Sequence, residues 1–271
     1  MADIASRPTF QAEQIDDIAL GQLVDHLDAV DEIPKRQQFR KWAFHALQVR
    51  AGERALDIGS GTGSETRVLA EAVTASGRAI GLDPNPGMAA VSRQRAEATN
   101  STARFVVGDA HSLPFSDESF DIVRSETVFQ HLADPSRAVT EVARVLKPGG
   151  RAMIIDSDWG TAIMHLGDSD MLQRITEEIL SHSSNPYSGR LLPGQLGAAG
   201  LIVQNIETET MTQDPRSNRD PFVETLLAWG VTTRAITAVE RSEVLEQLHS
   251  LARGGDFHMS VTSFAFLVQK P

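Results

Sequence analysis

The sequence predicts a doubly wound α/β fold. Two observations carry this reading. From Arg54 onward, short apolar runs alternate with helical stretches, and the first of those runs leads directly into a glycine-rich turn that opens a helix. The chain of 271 residues, 41% of them hydrophobic, is also long enough to bury about three quarters of its unfolded surface in one core.

Two helices are predicted ahead of the sheet. Residues 12–30 place Ile15, Ile18, Leu23, Leu27 and Val30 three to four positions apart or nearly so, an amphipathic pattern. After Pro34 a second pattern gathers Phe39, Trp42, Ala43, Ala46 and Leu47 on one face and stops at Gly52. Strands follow at 54–58 (RALDI), 78–83 (RAIGLD), 103–109 (ARFVVGD), 119–125 (SFDIVRS) and 151–156 (RAMIID). Helices at 66–75, 88–98 and 136–146 separate them, the last closed by Lys147, Pro148, Gly149 and Gly150. Such alternation builds a mostly parallel sheet covered on both faces. Beyond Asp156 the rhythm loosens into a helical pattern at 170–180, the turn-rich SHSSNPYSGR, a short helix at 193–200 and a strand at 201–210. A polar segment and further helical patterns lead to an alternating final strand in HMSVTSFAFLVQKP. The whole reads as one domain. Residues 1–52 form a helical cap and 53–156 the binding core; 157–192 and 211–240 are lid insertions, and 193–210 with 241–271 complete the core.

Composition removes several functions. With 25 Lys+Arg against 36 Asp+Glu the net charge is −11, the wrong sign for a phosphate-backbone partner, so no nucleic acid is expected. Without cysteine there is no disulfide, thiolate metal site or cysteine nucleophile. His165, His182 and His258 lack metal-ligand spacing, and no metal is predicted. No secretory signal and no bilayer-length apolar run are evident, which predicts a cytoplasmic protein without a membrane partner.

The chemistry concentrates at strand ends. In LDIGSGTGSET, Gly59, Gly61 and Gly63 follow a strand and precede a helix, where the backbone turns tightly and a ligand can approach. The spacing is G-x-G-x-G, and Asp57 stands two residues ahead of it. A carboxylate there suits a ligand bearing an ammonium or sulfonium, whereas a dinucleotide would bring anionic pyrophosphate to that turn. This weighs against NAD. Asp83 ends the second strand where α/β nucleotide sites accept bonds from ribose hydroxyls. Asp109 ends the third, placed to accept from an adenine amine while the Ala110 N–H donates to the ring.

Four segments in order, ALDIGSGTG (55–63), GLDPNPGM (81–88), VGDA (107–110) with LPFSDESFDIV (113–123), and ARVLKPGG (143–150), make residues 54–156 resemble the class I S-adenosylmethionine-dependent methyltransferases. The likeness is to the small-molecule group that includes the ubiquinone/menaquinone and sterol methyltransferases. It implies a seven-stranded Rossmann-like sheet with the last strand antiparallel, and S-adenosylmethionine as cofactor. By the same resemblance, Gly59, Ser60 and Gly61 support the methionine part, and Asp57 contacts or orients its amino group. Asp83 holds the ribose, Met88 packs on the adenine, Asp109 with Ala110 recognises the adenine edge and Ser125 lines the methionine end; Pro84 and Gly108 are further cofactor-binding residues.

Methyl transfer is a displacement that needs alignment and desolvation, and a base only where the acceptor holds a proton. His131, in SETVFQHLADP, is the candidate base; relatives often carry His-His where this chain has Gln130-His131, so the imidazole faces either the acceptor or the helix behind it. Asp156 and Asp158 orient it, bind the acceptor, or cap a turn or helix, and Asn185-Pro186-Tyr187 reads as a turn. Phe10, Phe39, Trp42, Trp159, Met164, Tyr187, Met211, Phe222 and Trp229 are the candidate walls for a hydrophobic small-molecule acceptor. The expected activity is methylation of oxygen or carbon. The alternative is a protein of this fold that binds S-adenosylmethionine but acts as a cyclase or regulatory module.

Overall fold

At the centre of the sheet, β1 (Arg54–Ile58) runs parallel to β2 (Arg78–Asp83) on one side and to β4 (Phe120–Glu126) on the other. The computed structural model describes residues 17–165, 184–212, 236–254 and 258–271, together with 173, 174, 177, 180, 227 and 231. Most of the predicted helix at 170–180 and most of 211–240 lie outside these residues. β3 (Arg104–Val107), β5 (Leu146–His165), β6 (Ile202–Thr212) and β7 (His258–Gln269) complete the order β3-β2-β1-β4-β5-β7-β6, with β7 antiparallel to both neighbours. The chain reverses its direction of travel across the sheet between β1 and β4. Crossovers to either side of that switch point leave a crevice above the carboxyl ends of the two strands.

Helices α1 (Asp17–Asp31), α2 (Pro34–Leu47), α3 (Ser64–Val73), α4 (Pro86–Ala98), α5 (Pro135–Val145), α6 (Ser188–Ala198) and α7 (Ala238–Gly254) accompany the strands. Both α4 and α5 start with proline in the first turn behind a side-chain cap. Asn85 Oδ1 accepts from Gly87 N at 2.7 Å, and Asp134 Oδ1 from Arg137 N at 3.0 Å. Strand alternation splits the core in two. Leu56, Ile58, Val123 and Ile154 join the apolar residues of α5 and α6 on one face; Ala55, Ile122, Met153 and Ile155 join those of α2 and α3 on the other. Phe39 and Trp42, expected as substrate walls, stack on each other at 6.0 Å, Phe39 within this second cluster and Trp42 packed against it. They pack the cap against the sheet.

Two boundaries differ from expectation. β5 continues past Asp156 to His165, paired with β7 through a register shift between Asp158 and Ile163, so 157–165 is sheet and not inserted loop. Polar residues on both strands satisfy each other there, as with Ser157 and Ser263 hydroxyls 3.0 Å apart, which hides the strand from an apolar pattern. α6 begins at Ser188, five residues before the predicted start, and carries Pro193 within it.

The same alternation that puts Ile122 on the α2 side puts Arg124 and Glu126 there, beside Asp57 of β1, whose register partner is Arg124. Arg124 donates to Asp57 Oδ1 at 3.3 Å, contacts Glu65 at 3.1 Å and binds Glu126. From α2, Arg36 reaches Glu126 at 2.6 Å and Arg40 reaches it at 2.9 Å. Three guanidiniums thus meet three carboxylates in the interior. Desolvation by burial would raise the Glu126 pKa, but the three arginines around it win and hold the carboxyl well below the usual range. Breaking one member leaves a buried charge uncompensated, at about 3–5 kcal/mol. Glu126→Ala is therefore expected to lower the unfolding free energy in urea by about that amount, and a loss under about 1 kcal/mol would show the cluster to be solvated.

Candidate active site

β1 hands the chain to a loop in which Gly59, Gly61 and Gly63 have φ of +70°, +51° and +77°, a region that side chains rarely adopt. Gly59 N and Ser60 N donate to Leu82 O at 2.7 and 3.0 Å, and Gly61 N to Asp83 Oδ2 at 2.9 Å, tying the loop to the end of β2. A Cβ on Gly59 would stand 2.2 Å from Val128 Cγ2, and one on Gly61 3.1 Å from Leu27 Cδ1 of α1. The loop is close-packed on both sides.

The three aspartates take different roles. Asp57 is 1% exposed; Thr66 Oγ1 donates to its Oδ2 at 2.6 Å and Arg124 to its Oδ1, so both oxygens are engaged from below. Thr66 and Arg124 thus hold the Asp57 carboxylate beneath the glycine loop. Asp83 accepts from two backbone amides, Gly61 N and Asn85 N, both at 2.9 Å, and has no cationic side chain against it among the described residues. Burial is the main cause that raises its pKa to about 6. Asp109, with a side chain 62% exposed, is bound by His111 through N at 2.9 Å and Nδ1 at 2.7 Å. Partial burial opposes ionisation, but these bonds prevail and lower its pKa.

Around them, Gly108 N donates to Asp83 O at 3.1 Å, Ala110 and Met88 are buried, and Pro84 is exposed. Met88 belongs to neither apolar cluster of the sheet. Ser60 Oγ and Ser125 Oγ are buried without a hydrogen-bond partner among the described residues, one in the glycine loop and one at the end of β4. Buried hydroxyls cost free energy when left unpaired, so their presence at the switch point marks a place where a polar ligand group fits.

Beyond β4, Thr127 turns at φ +53° into a 3₁₀ turn at Phe129–His131. Asp156 Oδ2 accepts from Gln130 N at 2.9 Å, and burial raises the Asp156 pKa to about 7. Asn185 N donates to Gln130 O at 2.9 Å, and Asn185 Nδ2 binds the carbonyls of Phe129 and Leu132. Asn185-Pro186-Tyr187 therefore clamps this turn, a role that its spacing in sequence concealed. Trp159 Nε1 donates to Gln130 Oε1 at 2.8 Å, and Gln130 Nε2 lies 3.2 Å from His131 Nε2. Burial pushes the His131 pKa down to about 4. Asp158 is paired with Arg190 at 2.8 Å, and that guanidinium lies 4.9 Å from the centre of the Tyr187 ring. Arg36 Nη1 approaches Met211 Sδ at 3.5 Å. Phe10, Phe222, Trp229 and the Met164 side chain are outside the described residues. Sequence reasoning missed Arg36, Arg40, Arg124 and Glu126. Their signal was charge at alternate positions of an otherwise apolar strand, and at i and i+4 of a helix with a buried face.

A seven-stranded sheet in this order, with an antiparallel β7 and an acid-tipped crevice beside a glycine loop, is the Rossmann-like methyltransferase fold. Residues 56–154 match the family described as Methyltransferase domain. The ubiquinone/menaquinone biosynthesis C-methyltransferase UbiE of Marinomonas sp. (strain MWYL1) is 30% identical over 183 residues, covering 66% of this chain and 65% of that protein. The demethylmenaquinone methyltransferase of Bacillus cereus (strain ATCC 10987 / NRS 248) is 32% identical over 140 residues, 51% of this chain and 59% of that protein. The chain thus spans less than two thirds of the length of these relatives. Among solved structures, the [4+2]-cyclase SpnF superposes with a TM-score of 0.61 at 20% identity, covering 100% of this chain and 99% of that one, a likeness of fold.

The raised pKa of Asp83 gives a pH test. Hydroxyl donors from a ligand favour its ionised form, so binding lowers the pKa, and a protonated Asp83 must lose its proton first. Affinity for S-adenosylmethionine measured by calorimetry is expected to be level above about pH 7 and to weaken below the apparent pKa of about 6. Asp83→Asn is expected to remove that dependence; an unchanged profile would take Asp83 out of the site.

Proposed function

We propose that this protein transfers a methyl group from S-adenosylmethionine to an oxygen or carbon of a hydrophobic small molecule. The observation that carries the proposal is the pair of orphaned buried hydroxyls, Ser60 in the glycine loop and Ser125 near the end of β4, at the same carboxyl end of the sheet as Asp83 and Asp109. In this reading Ser60, Ser125 and the backbone of Gly59 and Gly61 hold the methionine part. Asp83 accepts the ribose hydroxyls next to Pro84. Met88, Gly108, Asp109 and Ala110 hold the adenine. Asp57 supports the loop from beneath.

When bound, the cofactor supplies an electrophilic methyl, and the acceptor's electron pair forms the new bond as the methyl–sulfur bond breaks toward sulfur. The chain's part is to align that line of attack and to exclude water. Leu27, against the glycine loop, and Leu20, whose Cδ2 would stand 2.5 Å from a Cβ on Gly87, bring α1 over this edge as a cover. His131, held by the 129–131 turn, is the polar group assigned to the acceptor. The relatives named for quinone methylation support an acceptor of phenol or quinol character.

Titration of the protein with S-adenosylmethionine is expected to show saturable binding that NAD does not reproduce; binding of NAD alone would overturn the proposal. Incubation with a demethylated quinol is expected to release S-adenosylhomocysteine, whereas a rearranged product formed without it would favour the cyclase reading. Asp83→Ala is expected to weaken cofactor affinity at least about tenfold, the loss of roughly one charge-assisted bond, with the far-ultraviolet circular dichroism retained.

A further inference from the structure

The turn after β3 sets the direction of one carboxylate. Asp109 Oδ1 accepts twice from the residue two positions on, from His111 N at 2.9 Å and from His111 Nδ1 at 2.7 Å, while no hydrogen bond among the described residues reaches Oδ2. The backbone bond is the ordinary closure of an aspartate turn, and the ring bond is an addition to it. The far side of the imidazole shows which nitrogen carries the proton. Asp134 N donates to His111 Nε2 at 3.1 Å, and a backbone N–H can only donate, so Nε2 is bare and Nδ1 holds the proton that Asp109 Oδ1 accepts. Both ring nitrogens are thereby engaged, one by the carboxylate and one by the residue that caps α5. From α5, Arg137 Nε also donates to His111 O at 2.8 Å, so the residue is fastened through its backbone as well. The Asp109 side chain is 62% exposed against 19% for His111, which leaves the unbonded oxygen open to a ligand. A contact this exposed adds little stability; what it alters is where the carboxylate points.

We infer that His111 is a positioning residue for base recognition: it ties one oxygen of Asp109 to the start of α5, so that the other oxygen is held to accept from the 6-amino group of adenine. The inference rests on the S-adenosylmethionine reading above, in which Asp109 meets the adenine edge, and deepens it by making the site specific for a 6-amino purine. A 6-oxo purine brings a carbonyl oxygen to the same place. It has no proton there for Asp109 to accept, and it sets two acceptors against each other. Without the ring, Asp109 keeps the backbone bond of its own turn but loses the tie to α5, and its carboxylate is freer to turn toward water.

The test compares S-adenosylhomocysteine with S-inosylhomocysteine, its 6-oxo counterpart, by calorimetry on the full chain. The wild-type protein is expected to prefer the amino form by about thirtyfold, the worth of one charge-assisted bond. In His111→Phe that preference is expected to shrink about tenfold, through weaker binding of S-adenosylhomocysteine alone. His111→Asn, whose amide can still donate to Asp109, is expected to keep most of it. A residue that merely holds the loop together would weaken both ligands alike, so an equal loss for the two in His111→Phe overturns the inference, as does an unchanged preference. Should His111→Phe not fold, the wild-type protein serves: long-range proton–nitrogen spectra are expected to show His111 with Nδ1 protonated and Nε2 bare, and a proton on Nε2 overturns the inference. Wild-type protein that binds both ligands with equal affinity removes Asp109 from the adenine edge, and the positioning role falls while cofactor binding stands. Wild-type protein that binds neither refutes the S-adenosylmethionine reading itself, and the inference with it.

Discussion

The guanidinium of Arg124 sits in the sheet between Asp57 of β1, Glu65 at the first turn of α3 and Glu126 one alternate position along its own strand. A charge that deep is tolerated only if its field is matched at contact distance. That condition fixes several things at once. It sets the position of β1 against β4, holds the start of α3 to the strands beneath it, and leaves Glu126 able to accept two further arginines. Arg36 and Arg40, one helical turn apart, meet that need from α2. The cap is thereby bound to the core by charge as well as by the apolar contacts of Phe39, Ala43 and Leu47. Apolar contacts allow a helix to slide with little loss, whereas a buried ion cluster has one satisfactory arrangement.

This arrangement changes what Asp57 can do. Its position two residues ahead of the glycines made it a natural partner for a cationic ligand, and pattern alone contains nothing against that. The competing cation is separated from it by 67 residues and becomes its neighbour only through the parallel register of β1 and β4. The order of the elements was legible because hydrophobic period and glycine stops are local. Arg124 opposite Asp57 is a tertiary fact. The same limit explains β5, whose continuation through Ser157 and Asp158 is stabilised by partners on β7 and not by an apolar run.

The crevice edge shows a similar division. Glycines at 59, 61 and 63, Asp83 at the end of β2 and the Gly108-Asp109 turn were readable because each answers to one strand end and its loop. The group around His131 was not. Gln130, Asp156, Trp159 and Asn185 come from three segments, and what joins them is hydrogen-bond direction. A glutamine at 130 in place of a second imidazole looks in sequence like a weakened site. In the structure it bridges the Trp159 indole, at 2.8 Å, and the His131 ring, at 3.2 Å.

The acids of this chain thus fall into two populations, and the division bears on the crevice. Asp57, Glu65 and Glu126 have guanidiniums at contact, so their charge is largely cancelled within the interior. Asp83 is stabilised by two backbone amides, which orient its oxygens without cancelling the charge. Since the field at a point in the crevice is set by what remains unmatched nearby, Asp83, with no cationic side chain against it among the described residues, contributes more negative potential there than Asp57 does. Hydroxyl donors are drawn to that point, and the orphaned hydroxyls of Ser60 and Ser125 offer the turn neutral polar groups instead. A zwitterionic ligand end, carrying an ammonium beside a carboxylate, is better matched by such neutral groups and backbone dipoles than by a bare carboxylate, which would attract one of its charges and repel the other.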